Sequence, residues 1–191
     1  MRFLIFFFFF FSWQVLVAQE TYTPTKINEN EVTLDGLLSE KLWKDATKVP
    51  LDTEFSPANN LQAKKKTTAY ITYSDTYLFI AFHAEDDPKN IRASIRPRDD
   101  FNIWNDDLVM VRLDPFADAR NNLALAVNTL GSQFDVKQVN ALSDSDRYDS
   151  TFNMNFESKA ATIGNGYTVE MKIPFSEIPF PNGTDQEWHI N

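Results

Sequence analysis

From residue 67 onward the chain repeatedly places apolar side chains two positions apart, the period of a strand with one buried face. Between Thr67 and Ala84, one set is Ala69, Ile71, Tyr73, Leu78, Ile80 and Phe82, and it alternates with Tyr70, Thr72, Tyr77 and Phe79 around Ser74-Asp75-Thr76. This predicts a hairpin, and apolar residues on both of its faces place it centrally in a sheet or sandwich. The next run begins at Leu108, where Val109, Val111 and Leu113 face one way and Leu108, Met110 and Arg112 the other. Residues 123–128 and 132–139 read as two more strands joined by Leu130-Gly131. Residues 151–157 alternate through Phe152, Met154 and Phe156. Tyr167, Val169, Met171 and Ile173 follow the Gly164-Asn165-Gly166 turn and run to Pro174.

The first third of the chain is less periodic. Val32 to Leu34 predicts a short strand ending in the Asp35-Gly36 turn, and Ser39 to Ala46 a brief helix capped by Ser39, with Leu38, Leu42 and Trp43 facing the core. Residues 48–66 show little pattern and predict a surface segment, and the Ser- and Asp-rich residues 140–150 predict an exposed loop. A helical turn over Phe175 to Ile178 and a tight turn at Pro181-Asn182-Gly183 lead to a strand that begins at Glu187 and stops with Asn191. With about eight strands, the expectation is an all-β, mostly antiparallel β-sandwich of the immunoglobulin or jelly-roll kind. Ending in mid-strand predicts truncation at the C-terminus and continuity with a missing C-terminal region.

Residues 1–18, with Arg2 ahead of an apolar run, predict a cleaved signal peptide, since the run of about 15 residues falls short of the ~20 needed to span a bilayer. Residues 19–26 form a polar lead-in, and 27–191 the domain. No membrane span is expected in the mature segment, and the leader predicts that it is secreted.

Composition then narrows the chemistry. The net charge of -9 and the lack of any basic run beyond Lys64-Lys65-Lys66 disfavour nucleic acid as a partner. The chain has no cysteine, which excludes disulfides, thiolate metal sites and lipid attachment through a lipobox. With only His83 and His189, histidine metal clusters and a catalytic triad lack material. No Gly-rich phosphate loop occurs. The segment therefore reads as non-catalytic. Asp86, Asp87, Asp106, Asp107 and Asp114 stand at strand ends, as solvated turn residues or as ligands of a structural calcium ion, although no spacing matches a calcium loop.

The candidate site is the loop before Leu108. Trp104 offers an aromatic plate for the apolar face of a sugar ring, and Asn102, Asp106 and Arg112 offer partners for its hydroxyls. A packing role for the same tryptophan is equally compatible with the sequence.

Five stretches in order carry a family resemblance: Thr33-Leu34-Asp35-Gly36 with Trp43; Tyr73 through Phe82; Trp104-Asn105-Asp106-Asp107-Leu108-Val109; Leu113-Asp114-Pro115-Phe116; and Gly166 through Phe175. Together, from about Ile27 onward, they resemble the family 9 carbohydrate-binding module. The resemblance implies a β-sandwich that binds a polysaccharide or oligosaccharide. Such modules accompany xylanases, or stand before an outer-membrane-type barrel in large secreted proteins, so the parent could be a glycoside hydrolase or a cell-envelope protein. A non-sugar-binding structural domain ahead of a barrel is the alternative. Trp104 stands where the first of two clamping tryptophans is expected, and the second falls beyond Asn191. The family's acidic and basic contacts fall at Met110 and Ala126.

Overall fold

The structure is a computed structural model that describes residues 20–29, 32–57, 60–140, 142–143 and 146–191. The leader expected over residues 1–18 lies outside the described residues. Among the described residues, eleven strands, β1 to β11, and one short α-helix, α1, follow in chain order: β1 (Thr25–Lys26), α1 (Lys41–Asp45), β2 (Thr47–Glu54), β3 (Leu61–Tyr73), β4 (Tyr77–Glu85), β5 (Leu108–Asp114), β6 (Asn121–Asn128), β7 (Gln133–Val139), β8 (Tyr148–Asp149), β9 (Glu157–Ile163), β10 (Gly166–Pro174) and β11 (His189–Ile190).

Two sheets pack face to face, as the alternation predicts. The first runs β1-β3-β4-β10-β9, with β2 also on β3; the second runs β11-β5-β6-β7-β8. Every pairing is antiparallel except the short parallel contact of β1 with β3. The core between the sheets is built from the alternating sets: Ile71, Ile80, Phe82, Val169, Met171 and Ile173 from one, and Val109, Val111, Leu113, Leu123 and Leu125 from the other.

The inward face of β7 breaks the apolar rule. Gln133 pairs across from Val127 and Asp135 from Leu125, so both turn toward the interior. Arg98 crosses to meet them, donating to Gln133 Oε1 at 2.6 Å and to Asp135 Oδ1. Asp135 also accepts from the Met154 amide at 2.6 Å, and Gln133 donates to Ser158 Oγ at 2.8 Å. Burial pushes the Asp135 carboxyl up, against the pull of the Met154 amide and the Arg98 guanidinium. These bonds tie the second sheet to the segment that leads into β9, where apolar contacts would carry no register.

Several expectations change. Residues 48–66 are not a wandering segment: residues 47–51 of β2 pair with residues 67–71 of β3, the half that also pairs with β4, and past the end of β4 the two continue as a short ribbon in which Thr53 and Glu54 pair with Gln62 and Leu61. Both faces of the ribbon are largely exposed, which is why neither shows a hydrophobic period. Residues 151–156 keep the burial alternation but do not pair as a strand; the strand starts at Glu157. Val32–Leu34 is not a strand, and α1 begins after Glu40, which lacks a side-chain cap bond, so Ser39 does not cap it.

The outer face of the first sheet is covered by the chain between Ile27 and Ala46. Leu42, Trp43 and Ala46 bury against Phe79 and Ala81 on that face, with Ile27, Val32 and Leu38 beside them. Glu170 pins this strap. Its carboxylate accepts from the Asp35 and Gly36 amides at 3.0 and 2.7 Å and from Trp43 Nε1 at 2.8 Å. Thr168 donates back to the Gly36 carbonyl. Gly36 has φ +90°, and a Cβ there would lie 2.8 Å from the Ala160 carbonyl carbon, so only glycine permits the approach. Glu170 is fully buried, and burial pushes its carboxyl up to about 7 despite the three donors.

Candidate functional site

The outer face of the second sheet carries no comparable strap. Cross-strand partners share a face, so the register arranges this face in rows. Leu108 stands opposite Asn128, Met110 opposite Ala126, and Arg112 opposite Ala124. Phe134 extends the Met110–Ala126 row, and Val136 extends the next. Alanine at both central β6 positions leaves room for a side chain from above, and Ala124, Ala126, Phe134 and Val136 are all buried.

One end of the face is roofed by a single 3-10 turn, Phe101–Asn105. Asp100 caps it, its Oδ1 accepting from the Asn102 amide at 2.9 Å and from Asn102 Nδ2 at 2.7 Å. The amide bond holds the Asp100 carboxyl below the usual carboxylate range. Ile103 drops into the Ala124, Ala126, Phe134 and Val136 cluster as the turn's anchor. Phe101 and Trp104 then flank Phe134 edge-on, with ring centroids 5.2 and 5.3 Å away and interplanar angles of 74° and 68°. Trp104 keeps 47% of its surface exposed. An indole packed in a T-shaped contact on Phe134 and half exposed can serve as a stacking plate on a rigid mount.

Asp106 holds that mount. Its carboxylate takes a two-point contact from Arg96, Nε to Oδ2 at 2.7 Å and Nη2 to Oδ1 at 2.8 Å, and accepts from Asn128 Nδ2 at 2.8 Å and the Ser94 amide at 3.3 Å. The Arg96 guanidinium, together with these further bonds, holds the carboxyl far below the usual carboxylate range. Asn128 continues the network into the next turn, its Oδ1 accepting from the Leu130 and Ser132 amides. Asp107 accepts from the Arg92 amide at 2.6 Å, fixing the charged connection against the start of β5.

The four side chains expected to meet a sugar thus part company. Trp104 and the exposed Asn102 sit on the same turn. Asp106 lies beneath them with a side chain only 4% exposed and both oxygens engaged, so it builds the platform and does not face solvent. Arg112 lies on the same sheet face, one row beyond Met110 and so about 7 Å farther along β5, and its Nε has no hydrogen-bond partner. Phe134, Phe101, Arg96 and Asn128 were not expected at the site. Only the recurrence of aromatic and charged residues before Leu108 hinted at them, because their roles depend on which strand lies beside which.

The aspartates weighed as calcium ligands do not converge. Asp86 pairs with Lys65, Asp106 with Arg96, and Asp114 accepts from the Phe116 and Ala119 amides. Among the described residues, no group of three or more His, Asp or Glu side chains could hold a metal ion. Among the same residues, no helix is long and apolar enough to cross a membrane.

Comparison with known proteins points the same way as the geometry. The family model described as carbohydrate family 9 binding domain-like matches residues 34–187. Two solved structures of a family 9 carbohydrate-binding module from Caldicellulosiruptor kristjanssonii share the fold. The one in complex with cellotriose is 18% identical, covers 87% of this chain and 73% of its own, and superposes with a TM-score of 0.56. The one in complex with glucose is 18% identical, covers 86% and 75%, and has a TM-score of 0.55. No curated protein matches the chain.

Proposed function

The chain belongs to the carbohydrate family 9 binding domain-like family, and on that premise we propose that it binds a carbohydrate at the exposed turn that covers its second sheet, with Trp104 as the stacking plate. The observation that carries this reading is the mount of Trp104: a half-exposed indole braced on Phe134 above a turn fixed by an Arg96–Asp106 ion pair. A sugar ring presents apolar C–H groups that can cover such an indole. Asn102 contributes an amide beside the plate and Arg112 a guanidinium along the face. Asp106 acts through the platform and does not touch the ligand.

In this reading the domain is a non-catalytic module of a larger secreted bacterial protein of the cell envelope, one that degrades or handles polysaccharide. The apolar leader and the order of the five family stretches support that setting. Retention on insoluble xylan or cellulose tests the binding: Trp104→Ala abolishes it while leaving the unfolding midpoint in place. Equal retention of wild type and variant would rule out the stacking role.

A second reading, a structural domain ahead of an outer-membrane barrel, draws on Met110 and Ala126. These stand directly opposite one another beside Trp104, where a polar pair would serve a sugar. That reading expects Trp fluorescence to stay constant on addition of any glycan.

A further inference from the structure

The turn that carries Trp104 repeats itself. Its five residues, Phe101-Asn102-Ile103-Trp104-Asn105, hold two aromatic–asparagine pairs, Phe101 with Asn102 and Trp104 with Asn105, on either side of Ile103. A 3-10 helix has three residues per turn, so side chains three positions apart eclipse, about 6 Å from one another along the axis. Phe101 therefore stands on the same side of the turn as Trp104, and Asn102 on the same side as Asn105. Ile103 is the buried anchor, whereas Phe101 is 60% exposed, more than Trp104 at 47%. Both asparagines are exposed as well.

The two pairs are built alike. Both rings lean on the buried Phe134, Phe101 at 5.2 Å and Trp104 at 5.3 Å between centroids, so the two exposed rings lie no farther apart than those distances together. Asn102 Nδ2 donates to Asp100 Oδ1 at 2.7 Å, and Asn105 Nδ2 to the Asn102 carbonyl at 3.2 Å. Each amide thus spends an N–H inside the turn, which fixes its direction. Neither Oδ1 accepts a hydrogen bond among the described residues, so each is left to receive a hydroxyl.

We infer that Phe101 is a second sugar plate and that the turn binds two linked pyranoses of one chain, one on each aromatic–asparagine pair. The inference rests on Trp104 being the first plate. It names the class of ligand the turn serves: a glycan chain of at least two units, in preference to an isolated sugar. Each pyranose lays an apolar C–H face on its ring and turns a hydroxyl toward the Oδ1 of the asparagine that follows.

Titration calorimetry of the whole chain tests it, with glucose, xylose and mannose and the β-1,4-linked di- and trisaccharides of each. At least one series is expected to gain about tenfold in affinity from the first unit to the second, the factor that one added stacking contact supplies, and little from the second to the third. Phe101→Ala is expected to remove that gain, leaving the disaccharide no tighter than the monosaccharide, while Trp104 fluorescence still responds and the urea midpoint stays close to wild type. Phe101→Trp, which restores a plate, keeps the gain; Phe101→Leu, which restores only apolar bulk, does not. Mono- and disaccharides binding equally, with Trp104 fluorescence responding to both, would overturn the second plate and leave the first standing. A gain that survives in Phe101→Ala or Phe101→Leu would overturn the role of the Phe101 ring. If no length in any series binds and Trp104 fluorescence never moves, both this inference and the carbohydrate reading fall.

Discussion

The two outer faces of the sandwich each carry a tryptophan and a buried carboxylate, and they put them to opposite uses. On the first sheet, Trp43 is 2% exposed, packed against Phe79 and Ala81 as part of the strap that Glu170 holds through neutral donors. On the second, Trp104 is 47% exposed on a turn that Asp106 holds through an ion pair. A strap that spans the whole face gains its hold from apolar burial and needs the carboxylate only for register. A single turn that must leave an indole open has little burial to rely on, so a charged clamp fixes it. The difference is one of exposure: the first strap buries its tryptophan, and the turn on the second sheet buries Ile103 and leaves Trp104 half open.

Four outcomes test that division. The largest belongs to Trp43→Ala, expected to cost about 4 kcal/mol of stability in urea unfolding because it opens a cavity and strands the Glu170 carboxylate. A cost below about 1 kcal/mol would mean the strap is not integral to the fold.

Next is the pH dependence set by Glu170. Its folded pKa, about 7, lies above that of an ordinary glutamate, so the folded chain holds the proton more tightly than the unfolded one. Its contribution is then fully present below about pH 4.5 and is lost as pH rises toward 7, a span of roughly 3 kcal/mol. Asp106 has the opposite sign: its carboxyl is lowered, so its contribution is present above the ordinary aspartate range and lost as pH falls below it. Unfolding free energies measured from pH 4.5 to 7.5 should fall with rising pH in wild type and lose that slope in Glu170→Gln. An unchanged slope would assign it to another group.

Third, Asp106→Ala is expected to cost about 2 kcal/mol, below the usual penalty for breaking a buried pair because Arg96 keeps Asp100 within 3.7 Å. Ligand-induced change in Trp104 fluorescence should weaken with it. Full stability in this variant would show that the clamp is dispensable.

The smallest stability effect is expected for Trp104→Ala, under about 1 kcal/mol in the same unfolding measurement, because half of the ring is already in water. A larger loss would make it a packing residue and bring it closer to Trp43.

Elements with one buried face were legible in the sequence: the β3–β4 hairpin, β5, β6, β7 and β10 follow from period two alone. Trp43 was readable as a packing residue because it sits on a short amphipathic segment. The β2–β3 ribbon and β9 were not, since strands exposed on both faces, or at an edge, have no apolar period to read. Nor was the division of labour between Trp104 and Asp106. Asp106 looks like a hydroxyl acceptor until Arg96 and Asn128, 10 residues before it and 22 after, are seen to occupy it. Glu170 was hidden for the same reason, as a polar residue in regular alternation whose partners lie 127 to 135 residues earlier.

That last separation governs the order of assembly. The strap leaves the ribosome well before β10, which carries its anchor. It cannot close on Glu170 until β10 has been made, and closing so long a loop is a slow event. A nascent chain stalled before Gly166 holds Phe79 and Ala81 uncovered, a surface that chaperones recognise. Docking of the strap therefore reports that β10 is in place.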